Sequence, residues 1–151
     1  MVKVDSRMER DPAPPGRSAR VDLVIPVLNE AHVLAKSVDQ VRAFLAANFP
    51  WQWRVVVVDN GSTDGTDRVA KELVAAHPDQ VEFVQLPERG RGRALRRAWT
   101  QSNAEVVAYT DVDLSTELEA LPVLVRAILE EGYDLGTGSR LLPASKTTRS
   151  F

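Results

Sequence analysis

The sequence has no cysteine in its 151 residues, which excludes disulfides and thiolate zinc sites and suits a reducing compartment. It also lacks a long apolar run; the longest are short and interrupted by charge, so none reads as a membrane span. No continuous apolar stretch follows the charged N-terminal residues, so no secretory signal is read there. Neither charge dominates. A net charge of −2 lacks the basic footprint that a nucleic-acid partner calls for. No G-x-x-x-x-G-K-S/T segment occurs, which argues against a P-loop nucleoside triphosphatase. Gly90-Arg91-Gly92 is only part of a dinucleotide fingerprint, without its third glycine and not after the first strand. His32 and His77 stand apart from any metal-ligand spacing, and no Ser-His-Asp or Cys-His set can be assembled. What is present, 44% apolar and 26% charged residues, describes one ordinary globular domain with a real core.

Residues 1–20 mix Lys3, Arg7, Arg10, Arg17 and Arg20 with acids and the run Pro12-Ala13-Pro14-Pro15-Gly16. Such a segment buries too little apolar area to offset chain entropy, and it reads as a flexible arm. Its basic residues suit either an anionic membrane surface or plain solvation. From Val21 the pattern alternates. Apolar runs at Val21–Val27, Trp53–Val58, Val81–Leu86, Glu105–Thr110 and Tyr133–Thr137 read as strands. Between them lie stripes at helical spacing: Val33 to Leu45 (with Asn29 as its cap), Val69 to Val74, Ala94 to Trp99, and Leu118 to Leu129. Trp51, Trp53 and Trp99 fall at core-like positions. Strands apolar on both faces, alternating with helices, predict an α/β fold with a mostly parallel sheet over residues 21–151.

In such sheets ligands bind at the carboxyl ends of the strands. Those ends carry Pro26-Val27-Leu28-Asn29-Glu30, Asp59 to Thr66, Asp111-Val112-Asp113-Leu114-Ser115 and Gly138-Ser139-Arg140. Asp111 and Asp113, two apart at a strand end, would share a face, and their hard oxygens suit Mg2+ or Mn2+ completed by substrate phosphates. The same acids equally fit a strand end capping a helix that starts near Ser115. In the Asp59–Thr66 loop, Asn60-Gly61 and Asp64-Gly65 are turn formers, and Ser62, Thr63 or Asp64 can cap the next helix. Asp59 stands at the strand end, suited to accept from a base N–H or a ribose hydroxyl. Arg91, Arg93, Arg96 and Arg97 open the third helix, where amides and guanidinium groups can cradle a diphosphate; Arg96 and Arg97 fit a solvated face better.

Together, Ile25–Glu30, Val57–Thr66, Arg89–Gly92, Tyr109–Ser115 and Gly138–Arg140 resemble glycosyltransferase family 2, more closely its dolichyl- or polyprenyl-phosphate sugar synthases. The resemblance implies a GT-A (Rossmann-like) fold and inverting, metal-dependent transfer of a hexose from UDP-glucose or GDP-mannose to a polyprenyl phosphate. It implies that Pro26, Leu28, Glu30 and Asp59, with Asn60 and Gly61, hold the nucleoside. Asp111 and Asp113 would bind the metal and diphosphate, Arg91 would supply a cation, and Arg140 would contact phosphate, with Asp113 and Arg140 counted as catalytic. Arg91 replaces a frequent Lys of the family, and Ser115 replaces a Gln of some mannosyl relatives, which takes weight from a mannose-specific reading. Phe151 falls about where such enzymes begin their acceptor-binding half, so the chain is expected to be a donor-binding portion cut short. Its open sheet edge suits a homo-oligomer or a partner subunit. The expected location is the cytoplasm, including the cytoplasmic face of a membrane. Two alternatives remain: a family 2 transferase with a saccharide hydroxyl acceptor, and a non-catalytic nucleotide-sugar-binding module that needs a partner chain. A nucleotidyltransferase is disfavoured, because no Gly-rich, Lys/Arg-bearing loop follows Val27.

Overall fold

A computed structural model describes residues 18–138 and divides them after Leu118 into two compact units. The first contains β1 (Arg20–Val27), α1 (Leu34–Asn48), β2 (Gln52–Asp59), α2 (Thr66–Ala76), β3 (Val81–Gln85), α3 (Arg91–Gln101) and β4 (Val106–Tyr109). The second contains α4 (Ala120–Leu129). The four strands form one parallel sheet in the order β3-β2-β1-β4.

This order follows from the sequence pattern. Val55–Val58 are all buried, as expected of a central strand covered on both faces. Val24, Val56 and Val58 pack with Ala94 and Ala98 of α3, whose small side chains let the helix approach the sheet closely. Leu23, Ile25, Val55 and Val57 alternate with them and are equally buried, so they line the other face, which α1 and α2 cover. Right-handed crossovers require this split: the chain steps from β1 out to β3 with its helices on one face, then returns across the sheet to β4 with α3 on the other. The order in which strands are added therefore reverses between β1 and β4, the switch point of the parallel sheet. Pro26 tolerates its central strand because pairing with β4 stops at Val24, so its missing N–H leaves no ladder bond unmade on that side.

Several expectations are corrected. Arg20 belongs to β1, opposite Gln52; residues 1–17, the rest of the expected arm, lie outside the described set. Tyr133–Thr137 forms no strand. A strand exists only by pairing, and here Gly132 turns the chain at φ +77° while the Tyr133 amide closes back on the Ala127 carbonyl. No helix starts near Ser115; α4 begins at Ala120 and takes Pro122 into its first turn, where no amide is needed. Trp99 is not a core residue: it is 38% exposed and leans on Tyr109.

Candidate functional site

The carboxyl ends of β1 and β2 lie side by side, Val27 opposite Asp59, and the loops that follow are stitched together. Two hydroxyls act as relays. Ser62 Oγ accepts from the Asn29 amide at 2.8 Å and donates to Asp59 Oδ1 at 2.5 Å. Thr66 Oγ1 accepts from the Glu30 amide at 2.9 Å and donates to Asp64 Oδ1 at 2.5 Å. Asn29 Oδ1 accepts from the Thr63 amide, and Asp64 Oδ2 from the Ala31 amide. Asn29 is thus no helix cap. Its φ of +57° turns it toward the second loop, and α1 has no side-chain cap. Gly61 and Gly65 hold φ of +82° and +91°, and a Cβ on Gly61 would meet the Pro87 carbonyl oxygen at 3.4 Å.

Hydrogen bonds from Thr66 and from the Ala31 amide hold the Asp64 carboxyl below the usual aspartate range. A lowered folded value means that the staple contributes above the unfolded pKa and is lost as pH falls through the folded one. In an acid titration followed by NMR, the Ala31 amide shift should therefore move with a midpoint below that of an ordinary aspartate. A midpoint at or above the ordinary value would remove Asp64 from this role.

Asp59, expected to meet a nucleoside, is fully buried. Its Oδ1 is occupied by Ser62, through amide and hydroxyl, and its Oδ2 faces Gln85 Nε2 at 3.5 Å. In this arrangement it organises the loop from below. Its neighbour Asn60 is different. It is 4% exposed, its Nδ2 donates to the Val27 carbonyl, and its Oδ1 is buried without a partner. That bond orients the amide and leaves its oxygen enclosed by the protein. Leu28, 37% exposed just past β1, and the half-buried Glu30 complete this edge.

Across the switch point, β4 leads into Asp111-Val112-Asp113. The two acids lie beyond the strand in a turn, so period-two alternation does not relate them. The Leu114 amide donates to the Asp111 carbonyl, Leu114 has φ +51°, and the Ser115 amide donates to Asp113 Oδ1. Buried Val112 anchors the turn and leaves a carboxylate on either side of it. Arg91, first residue of α3, places Nη2 2.6 Å from Asp111 Oδ1 and its Cζ 5.4 Å from the Tyr109 ring centroid. Arg93 pairs with Glu88, while Arg96 and Arg97 are exposed. Ser139 and Arg140 lie outside the described residues, where no role can be placed.

Among the described residues no three His, Cys, Asp or Glu side chains cluster as a closed metal cage. Two exposed carboxylates, one already holding a guanidinium, do fit a hard divalent cation whose remaining ligands come from phosphates and water. A hollow of about 400 Å³ lies at the other end of the sheet, lined by Arg54, Lys71, Val74 and Phe83 among others. Its cations are neutralised by Asp22, Glu82 and Asp67, so it offers no anion site.

The family profile for glycosyl transferase family 2 matches residues 22–150, most of the chain. The chain belongs to this family. It is 33% identical over 141 residues to the glycosyltransferase AglD of Haloferax volcanii, covering 89% of this chain and 22% of that protein. It is 30% identical to the dolichol-phosphate mannosyltransferase of Pyrococcus furiosus, covering 84% and 35% respectively. Among solved structures it resembles the mannosyltransferase PcManGT of Pyrobaculum calidifontis in complex with GDP-Man and Mn2+. The TM-score is 0.59 at 31% identity, over 79% of this chain and 35% of that one. The chain thus spans about a third or less of the length of these relatives. It shares with them the GT-A fold and family 2 glycosyltransferase character.

Proposed function

We propose that this chain is the donor-binding portion of an inverting, metal-dependent transferase that moves a hexose from a nucleotide diphosphate sugar to a polyprenyl phosphate. The observation that carries the reading is the switch in strand order between β1 and β4, with half-exposed Asp111 and exposed Asp113 just past the end of β4. The nucleoside is held along the loops after β1 and β2. There Pro26 sets the strand end, Leu28 and Glu30 line the edge, Gly61 shapes the turn and Asp59 braces it from below. Asn60 ties the end of β1 to the second loop through the Val27 carbonyl. The diphosphate lies toward Arg91, with Arg140 as a second phosphate contact. A Mg2+ or Mn2+ ion held by Asp111 and Asp113 would neutralise charge on the departing nucleoside diphosphate.

The lipid phosphate acceptor explains why no general base is required. A phosphate monoester with a second pKa near ~6 is largely dianionic at neutral pH and can attack the anomeric carbon directly, with inversion. The name of the Pyrococcus furiosus relative supports this acceptor class, and the GDP-Man and Mn2+ of PcManGT support the donor and metal classes. We assign contact with the lipid-borne acceptor to the cytoplasmic membrane surface; no helix among the described residues is long and apolar enough to cross a membrane. The outer strands β3 and β4 offer edges for a second copy or a partner chain.

Calorimetric titration with UDP-glucose and GDP-mannose, each with and without Mn2+, tests the reading. One donor should bind, and Mn2+ should tighten it about tenfold or more. Equal affinity with and without the ion, or no binding by a folded chain, would overturn it.

A further inference from the structure

We propose that Arg91 is a built-in counter-ion of Asp111 that a divalent cation must displace, and that this exchange couples metal binding to diphosphate binding. The inference rests on the donor-site reading and concerns how that site loads.

The geometry is that of a parked side chain. The Arg91 guanidinium touches Asp111 through one nitrogen at 2.6 Å and lies over the Tyr109 ring at 5.4 Å. Tyr109 in turn leans on Trp99, with centroids 6.0 Å apart at 52°. Both rings keep a large exposed share, 47% for Tyr109 and 38% for Trp99, so part of each ring surface is open to a neighbouring side chain. They form a surface platform on which a guanidinium rests, attracted by the ring face. The platform, the cation and the acid come from β4, the start of α3 and the turn after β4, so the contact is tertiary.

Arg91 engages Asp111 through Oδ1 and already offsets the charge that a metal ion would draw on, and two cations on one carboxylate repel each other. Metal alone therefore binds against the guanidinium. A nucleoside diphosphate changes the exchange: it brings oxygens that complete the metal's coordination and offers Arg91 a planar, two-pronged phosphate partner. Once the diphosphate is present, Arg91 exchanges its contact with Asp111 for one with phosphate. Metal and nucleotide should then each tighten the other, by linkage to the same factor. The pair is half exposed, 54% for Arg91 and 43% for Asp111, so the effect is several-fold and readily reversed.

The test measures Mn2+ affinity of the full chain by the EPR signal of free Mn2+, first alone, then with UDP or GDP. Arg91→Gln should bind Mn2+ alone about fivefold tighter than wild type, bind the nucleotide more weakly, and show less mutual tightening. Tyr109→Leu should also tighten Mn2+ alone but leave nucleotide affinity near wild type, because the ring only holds the guanidinium in place. Arg91→Lys, keeping the charge without the flat face, should fall between wild type and Arg91→Gln. If Arg91→Gln leaves Mn2+ binding unchanged or weaker, while Mn2+ and nucleotide still bind together to wild type, the counter-ion role falls and the donor site stands. If Mn2+ does not bind wild type even with nucleotide, both fall.

Discussion

Replacing Asp22 with alanine is expected to lower the unfolding free energy by about 3 kcal/mol. Asp22 is 1% exposed in the central strand β1 and accepts from Arg54 Nη2 at 2.8 Å, Arg54 Nε at 3.2 Å and Ser102 Oγ at 2.6 Å. Arg54 continues to Glu82 on β3, and the Asp22 contact foremost raises its already high pKa. One carboxylate therefore ties three strands and the chain just after α3 at the end of the sheet away from the donor site. Alanine removes all three bonds and leaves Arg54 with Glu82 and solvent, which places the loss at the lower end for a broken buried pair. Urea denaturation should show the drop, with a melting temperature lower by about 10 °C. A double change, Asp22→Leu with Arg54→Leu, should recover much of it, since apolar replacement of both partners strands no charge. A loss under about 1 kcal/mol for Asp22→Ala would mean that the network contributes little.

Asp113→Asn is expected to weaken metal-dependent donor binding by about 100-fold while leaving stability nearly unchanged. Asp113 is exposed, and its one described bond accepts the Ser115 amide, which an asparagine oxygen can still do. The turn keeps the Asp111 carbonyl contact to Leu114 and the buried anchor Val112. What the substitution removes is the negative charge that a hard cation requires. Donor titration in Mn2+ beside a thermal melt separates the two effects. Wild-type donor affinity in Asp113→Asn would remove Asp113 from the metal site, and a lowered melt would show that the charge was structural.

The alternation of valine-rich runs with amphipathic stripes was legible in the sequence because burial on both faces leaves a signature in every residue of a strand. Four of the five expected strands formed; the expected residues follow β1, β2 and β4, while Gly138 follows no strand. The segment at Tyr133–Thr137 misled because its composition suits a strand but composition carries no pairing partner. Asn29 and Ser62 show a related limit: each reads locally as a cap, yet they are used in bonds spanning 33 and 34 residues of chain that join the two loops. Trp99 misled in the same way, since helical spacing cannot tell a core-facing position from one beside an exposed tyrosine.

Sequence by itself determined the fold class, the family and the set of polar residues delivered to one edge of the sheet, because periodicity and strand-end chemistry are local properties. Tertiary structure alone decided which of those residues are free. Asp59 is spent on Ser62 and Asn60 on the Val27 carbonyl, and Arg91 is parked on Asp111. Buried Asp22 gave no local sign, because its partners Arg54 and Ser102 lie 32 and 80 residues away. A hydrogen bond depends on distance in space, and only the folded chain sets that distance.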